Sequence, residues 1–555
     1  MAQFLRKQLI RRLSVSGLHY VALALPIIIY FTLTYSRFTF PKIFADEFAG
    51  LDAGLFIQDS SYERFTGYRA GLGLVLQPLL WIFSSRDDLY RAQQLINCGV
   101  LVTAAIICFR SLLGLVNRSQ AFWTTFSSFM FFPALYSTMR ISTETWLILA
   151  ASIAFYLFTS LYIKKDSYAI LLSIIVLQFI SIIHTRLMAV SFLTLALFFY
   201  VKRKKGENVF ALLSFTLITA LIFGIINRYY SVQNYEASFA SSLLKFEVLD
   251  GFIKNYLLFL FGKLFIINLE SFGLLLVAVL CVIGWKEKFF DKNRSVESIA
   301  FKIMTLVLLL FLSSLMVTTL FELFLSLNPV WREPLASLVF ATRYVDGLMP
   351  LVFAITITFV IVNLPTLGKI INRRSLAIGL LFTLVLGSIT IKIGVFVADP
   401  MRSPFAFGVS KGRQMEPSFL FIPIFILIIY LAFFLYKPKV LYIMPLSAWL
   451  FCATAFGWEA GIESGWQKNH VISDTANHFL SETKSIEKCI ILELENPNNW
   501  WSLYNYRFWS EYPVYSTSDK DCPLLITDKL EDDINDVRVL VAEEQATGMF
   551  LLQNP

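Results

Sequence analysis

Charge is what this chain has least of. Only 15% of its 555 residues are Asp, Glu, Lys or Arg, whereas 57% are hydrophobic and 54 are Phe. A soluble protein of this length could not hide so much apolar surface, so a polytopic membrane protein is the default reading. Histidine is scarce too: there are four, with no H-x-x-x-H and no pair at helical spacing, so the pattern supports no metal site. The six cysteines include no C-x-x-C. Cys98, Cys108, Cys281 and Cys452 sit in apolar runs and read as packing residues; Cys489 and Cys522 sit in a polar tail and can pair if that tail is extracytoplasmic. P-loop and Rossmann fingerprints, soluble-domain repeats and low-complexity tracts are all missing. The net charge of +8 does not point to nucleic acid, because the basic residues cluster in short loops between apolar runs.

What the chain does have is a series of spans. Counting runs of ~20 apolar residues, with shorter ones tolerated, gives about thirteen. They lie near 18–35, 93–110, 120–137, 144–163, 167–184, 187–201, 208–226, 269–285, 299–320, 345–364, 376–397, 418–436 and 440–456. Arg6, Lys7, Arg11 and Arg12 precede the first run and no small-residue cleavage site follows it, which reads as an uncleaved span. Short apolar pieces at 71–83, broken by Gly71, Gly73 and Pro78, and at 251–268, carrying Lys254 and Lys263, read as interfacial or re-entrant helices.

With the N-terminus in the cytoplasm, alternation places nearly every compact basic cluster inside: Arg110 with Arg118, Lys164 with Lys165, "KRKKGE" at 202–207, "KEKFFDKNR" at 286–294, "KIINRR" at 369–374, and Lys437 with Lys439. That is the distribution the positive-inside rule requires. The same parity exports a first loop at about 36–92 and a tail from residue 457. The expected fold class is thus an all-α polytopic membrane protein with a small extracytoplasmic α/β C-terminal domain, divided into a module at 1–456 and a tail domain at 457–555. In the tail, "KCIILELE" and "VRVLVAEE" read as strands, and "NPNNWWSLYNYRFW" at 496–509 supplies aromatics that either stack on sugar or fill a small core.

On this topology the unusual ionisable groups share the outer face. Asp46 and Glu47 follow the first span. "STMRISTETW" brings Arg140 and Glu144, "IHTRLM" brings His184 and Arg186, and "FATRYVDGLMPL" brings Arg343, Tyr344 and Asp346. Charges at membrane depth are costly and are usually functional. Each group also has a structural reading. Asp46 or Glu47 can favour a helix first turn. Arg140 and Glu144 are four apart and can pair on one helix face. Arg343 and Tyr344 can anchor at an interface. For His184 with Arg186 the structural reading is the favoured one.

These motifs, in this order and on one face, resemble the GT-C superfamily of membrane glycosyltransferases. That group includes protein O-mannosyltransferases, lipid A aminoarabinose transferases and family-39-like bacterial enzymes. "FADEFAG" matches the acidic pair of the family's first outer loop. "LQPLLWIF" at 76–83 is a partial K-P-P-L-x-x-W element, with Gln77 and a single Pro78. Pro133 and Glu144 stand where a Pro ends the third span and an acid, often Asp, opens the fourth. Arg343, Tyr344 and Pro350 fit R-Y-x-x-P-x-x-P, with Gly347 at its first Pro position. The resemblance covers roughly residues 1–365.

The resemblance implies transfer of a sugar from a polyprenyl-phosphate donor to an extracytoplasmic glycan, lipid or protein acceptor, in a bacterial inner membrane. Asp46 is the implied base, with Glu47 positioning acceptor or sugar. Arg343, then Arg140, then Arg186 are the implied phosphate ligands, with Tyr344 donating to the phosphate and Glu144 orienting an arginine or binding a sugar hydroxyl. No cofactor is fixed, because some relatives use a divalent cation and others do not. Two rivals stay open: a polysaccharide polymerase or ligase, which usually relies on Arg-rich outer loops, and a transporter or flippase, which should carry inverted repeats and broken helices. A cavity on the outer face uniting residues 46, 140 and 343 would mark transfer chemistry, and a polar through-path would mark transport.

Overall fold

A computed structural model describes residues 2–35, 45–58, 70–83, 85–139, 143–163 and 166–230. It also describes 256–257, 259–264, 267, 271, 274–285, 289, 295–327, 343–364, 366–370, 379, 381, 396–397 and 414–415. In the C-terminal part it describes 471–482, 488–493, 506, 510, 512, 514–515, 522–527, 539–544 and 549–553. The spans expected at 418–436 and 440–456, and almost all of 376–397, lie outside these residues.

Among the described residues, ten helices run from the N-terminus: α1 (Ala2–Tyr35), α2 (Ala45–Gln58), α3 (Gly71–Ile82), α4 (Arg86–Leu112), α5 (Arg118–Phe129), α6 (Phe132–Tyr136), α7 (Glu144–Ser160), α8 (Ser167–Ser181), α9 (Thr185–Lys204) and α10 (Phe210–Tyr230). Further on come Leu274–Gly284, Val296–Leu327, Arg343–Asp346 and Met349–Val362. Local sequence accounts for their ends. Asn117 and Gln120 close a reciprocal capping box at the start of α5. Asp166 caps α8 through the Tyr168 N–H at 3.0 Å. At the end of α9, Gly206 takes the left-handed φ of 78°, while Glu207 N–H reaches back to Lys202 O. That is a Schellman stop, and it needs a residue without a Cβ at Gly206.

Two spans differ from the expectation. The run at 120–137 is broken into α5 and α6, since Pro133 has no N–H to continue the ladder. The run at 345–364 begins as the short helix Arg343–Asp346, turns at Gly347 and Leu348, and restarts with a proline in the first turn of Met349–Val362. The short interfacial or re-entrant helix expected at 71–83 is present as α3. Lys263, expected at an interface, is 1% exposed.

By internal contacts the chain divides into two compact units. One comprises 1–34, 96–226 and 236–460; the other comprises 35–95, 227–235 and 461–555. In the first, α7 and Met349–Val362 are buried nearly all round. Met349–Val362 packs on Val296–Leu327, α5, Leu274–Gly284 and α7; α7 packs on α8 and α9 as well. An outer layer shows the opposite pattern. On α10, Phe210, Leu217, Ile218, Leu221, Ile222 and Ile225 are all exposed at helical spacing. Thr216 and Thr219 turn their hydroxyls back onto carbonyls of their own helix. A continuous exposed apolar face with its polar groups satisfied internally is the surface lipid requires. Among the described residues, α4, α10 and Val296–Leu320 are long and apolar enough to cross a membrane, and six shorter apolar helices accompany them. The chain is a multi-pass membrane protein. A two-stranded antiparallel piece pairs β1 (Phe396–Val397) with β2 (Gln414–Met415).

In the second unit, α2 packs on α3 with the two backbones almost touching. A Cβ on Gly50 would lie 2.7 Å from Leu72 Cδ2, and one on Gly73 would lie 2.7 Å from both Ala53 C and Gly54 N. Small residues four apart permit such an approach. The same unit holds a five-stranded sheet of β3 (Ile490–Glu493), β4 (Val514–Tyr515), β5 (Leu524–Thr527), β6 (Val539–Glu544) and β7 (Met549–Gln553), in the order β4-β3-β5-β7-β6. β3 is parallel to β4 and β5, while β7 is antiparallel to β5 and β6. The helix Val471–Glu482 covers one face, where Ile472, Ala476 and Leu480 meet Ile490, Leu492, Leu524, Ile526 and Leu551. On the other face Cys489 and Cys522 are joined as a disulfide with Cα atoms 5.0 Å apart, so the pairing open to the two tail cysteines is realised. Two hydrogen bonds tie distant pieces of this unit together: Ala70 N–H to Asn227 Oδ1 at 3.2 Å, and Arg86 Nε–H to the Ser510 carbonyl at 3.3 Å.

Candidate functional site

The described part of the site is a corner of the first unit where α7 and α9 begin. Thr143 is the N-cap of α7, yet its side chain makes no capping bond. Its hydroxyl instead accepts from Arg186 Nη2 at 3.4 Å. Glu144, the first residue of α7, accepts from Arg186 Nη1 through Oε1 at 3.4 Å. Both partners are largely withdrawn from solvent, with side chains 9% exposed for Arg186 and 13% for Glu144.

His184 completes the set. It is the extended N-cap of α9 (φ −154°, ψ 149°), and its Nδ1 accepts the Arg186 backbone N–H at 3.1 Å. The same Nδ1 accepts Arg186 Nε–H at 3.4 Å. Arg186 is thus held at three points: Nε by His184, Nη1 by Glu144 and Nη2 by Thr143.

The electrostatics of this corner are informative. A carboxylate at the start of α7 is where the helix dipole favours it. An arginine in the first turn of α9 is where the dipole opposes it, at a cost of ~0.3–1 kcal/mol. Glu144 offsets that cost from across the interface. Two helix N-termini meet here, with the Arg186 guanidinium and its Glu144 partner between them.

The segment carrying Arg343 and Tyr344 belongs to the same corner. The helix Arg343–Asp346 packs against α6 and α7. Gly347 lies against Leu147, one turn into α7: a Cβ there would come within 2.8 Å of Leu147 Cγ. That contact explains why glycine stands at the first Pro position of the R-Y pattern, since no larger residue fits without moving Leu147. Asp346 is 4% exposed.

Of the residues singled out in the sequence, Glu144 and Arg186 are brought together, and the segment of Arg343 and Tyr344 packs beside them. The side chains of Arg343 and Tyr344 lie outside the described residues, as does Arg140 altogether. The sequence allowed Glu144 either to pair with Arg140 on one helix face or to orient an arginine; α7 starts at Glu144, and its carboxylate meets Arg186 from another helix. Asp46 and Glu47 lie in the first turn of α2, in the second unit, and their side chains too are outside the described residues. Sequence reasoning did not single out Thr143, or Asp52, which is fully buried on α2. A Thr directly before an acidic helix start was the available signal for Thr143; nothing distinguished Asp52. Among the described residues no three His, Cys, Asp or Glu side chains stand together as metal ligands would.

No family model matches the sequence, and neither does any curated protein. Solved structures do match. The crystal structure of ArnT from Cupriavidus metallidurans bound to undecaprenyl phosphate superposes with a TM-score of 0.51 at 10% sequence identity, covering 97% of this chain and 97% of that one. The apo form of the same protein gives 0.50 at the same identity and coverage. ArnT is an aminoarabinose transferase of the GT-C family, so the resemblance read from the sequence holds at the level of fold.

Proposed function

We propose that this chain is a membrane glycosyltransferase that moves a sugar from a polyprenyl-phosphate donor to an acceptor outside the cytoplasm. The observation that carries this reading is the ArnT fold over nearly the whole chain; the acidic pair in the first turn of α2 and the Arg186–Glu144 ion pair support it. The neighbour in that fold binds undecaprenyl phosphate. A lipid-linked donor suits chemistry on a face where nucleotide sugars are absent.

In the proposed reaction Asp46 takes the proton from an acceptor hydroxyl, and Glu47 positions the acceptor or the sugar. The acceptor oxygen bonds to the anomeric carbon as the carbon–oxygen bond to phosphate breaks. The electron pair leaves with the lipid phosphate. Arginine is well shaped to receive that group, and Arg343, Arg140 and Arg186 take this role, with Tyr344 donating to the phosphate. The ion pair supports Glu144 as the group that orients one of them, Arg186. The proposed location is a bacterial inner membrane, with the N-terminus cytoplasmic and the tail exported. The Cys489–Cys522 disulfide supports that sidedness, since disulfides persist in oxidising compartments.

The test is a transfer assay on the reconstituted full chain, scanning polyprenyl-phosphate-linked sugars against cell-envelope acceptors. Transfer from one donor class, with KM raised by Arg343→Ala, is the expected result. Donor-independent movement of an intact lipid-linked glycan across the bilayer would replace this reading with a flippase.

A further inference from the structure

We infer that His184 is a positioning residue for the lipid phosphate, acting through Arg186; the inference rests on the phosphate-binding role proposed for that arginine. Usual N-caps are Ser, Thr, Asp and Asn, whose short side chains reach the backbone. His184 does that and more. Its Nδ1 takes the Arg186 backbone N–H at 3.1 Å and the Arg186 Nε–H at 3.4 Å. Both bonds need the Nδ1 lone pair, so Nδ1 acts as the acceptor for both.

A capping role alone accounts for the first bond and not for the second. The second fixes the near end of the guanidinium while Thr143 and Glu144 fix the far end. Three contacts define a plane, so the orientation of the guanidinium is set before any ligand arrives. An arginine free to rotate would lose that freedom on binding, and a pre-oriented one does not. The sequence order His-Thr-Arg builds this device within a single helical turn, because cap and cation sit two residues apart.

The experiment uses purified full-length protein and undecaprenyl monophosphate as probe, reading lipid-dependent thermal shift for Kd, and KM against kcat wherever a donor is turned over. In His184→Ser the hydroxyl still reaches the Arg186 backbone N–H but is too short for Nε. The unliganded unfolding midpoint should stay at the wild-type value while Kd and donor KM rise roughly 5- to 20-fold and kcat holds. Arg186→Lys should also raise Kd and donor KM, because the Nε contact to His184 is lost. In the Arg186→Lys background His184→Ser should add nothing, because the contact it removes is already gone. Wild-type Kd in His184→Ser would reduce His184 to a helix cap, and so would an undiminished extra loss in the double variant. If His184→Ser does not fold, His184→Asn, a stronger cap, is read by the same criteria. Wild-type protein that is folded and does not bind the lipid phosphate would defeat the proposed function itself, and this inference with it.

Discussion

A Cβ placed on Gly73 would lie 2.6 Å from the Cβ of Ala53, so α2 and α3 meet backbone to backbone. Gly73→Ala therefore forces the helices apart, and Gly73→Val does so further. Overpacking of this kind costs about 1–3 kcal/mol. Shaving Ala53 to Gly should restore only part of the loss, because Gly54 N also lies 2.7 Å from the new Cβ. Thermal unfolding of the three variants in detergent would check the order, and equal stability of Gly73→Val and wild type would refute the contact.

Asp46 lies in the first turn of the helix that this packing holds in place. If it is the base, Asp46→Asn keeps the shape and should lower transfer by ~10²–10⁴, the usual share of general base catalysis. Protein level should barely change. Near-normal transfer by both Asp46→Asn and Glu47→Gln in inserted protein would remove the acidic pair from the mechanism.

Removing the Glu144 carboxylate leaves the largely buried Arg186 without that counter-charge. Glu144→Ala should destabilise by roughly 1–3 kcal/mol, as when a buried partner is deleted. Glu144→Gln should cost less, since an amide oxygen still accepts from Nη1. Unfolding midpoints for the pair would test this, and identical midpoints for both variants and wild type would sink it.

The disulfide closes a loop of 33 residues between Cys489 and Cys522. Chain entropy assigns such a bridge about 2–4 kcal/mol. Reduced protein, or Cys489→Ser, should lose protection of the sheet from proteolysis while the helices of the other unit remain intact. Full labelling of both thiols in unreduced protein would show the bridge to be missing.

Sidedness can be tested directly. Single cysteines placed in 36–60 should react with an impermeant thiol reagent in sealed cells, whereas those in 202–207 should not. Labelling of 202–207 from outside would invert the topology and with it every assigned role.

Much of the helical frame was legible because an apolar span announces itself by length: α4, α7, α8, α9 and α10 lie where the apolar runs lie. The strands at Ile490–Glu493 and Val539–Glu544 were legible by residue type. The site was legible only as a set of separate residues. Arg186 and Glu144 are 42 positions apart, and no pattern along the chain links them. The close approach of α2 and α3 was hidden for another reason. Gly73 reads as an interruption of a short apolar piece, yet with Gly50 and Gly54 it forms the contact surface between the helices.

The bond from Arg86 to the Ser510 carbonyl joins residues 424 apart in sequence. During synthesis at ~5–20 residues per second, Arg86 emerges roughly 20–85 s before its partner exists. For that interval the first loop must persist without the segment that completes it, while the intervening spans are inserted. A premature stop before Ser510 thus leaves Arg86, at the start of α4, without the carbonyl it binds in the finished chain.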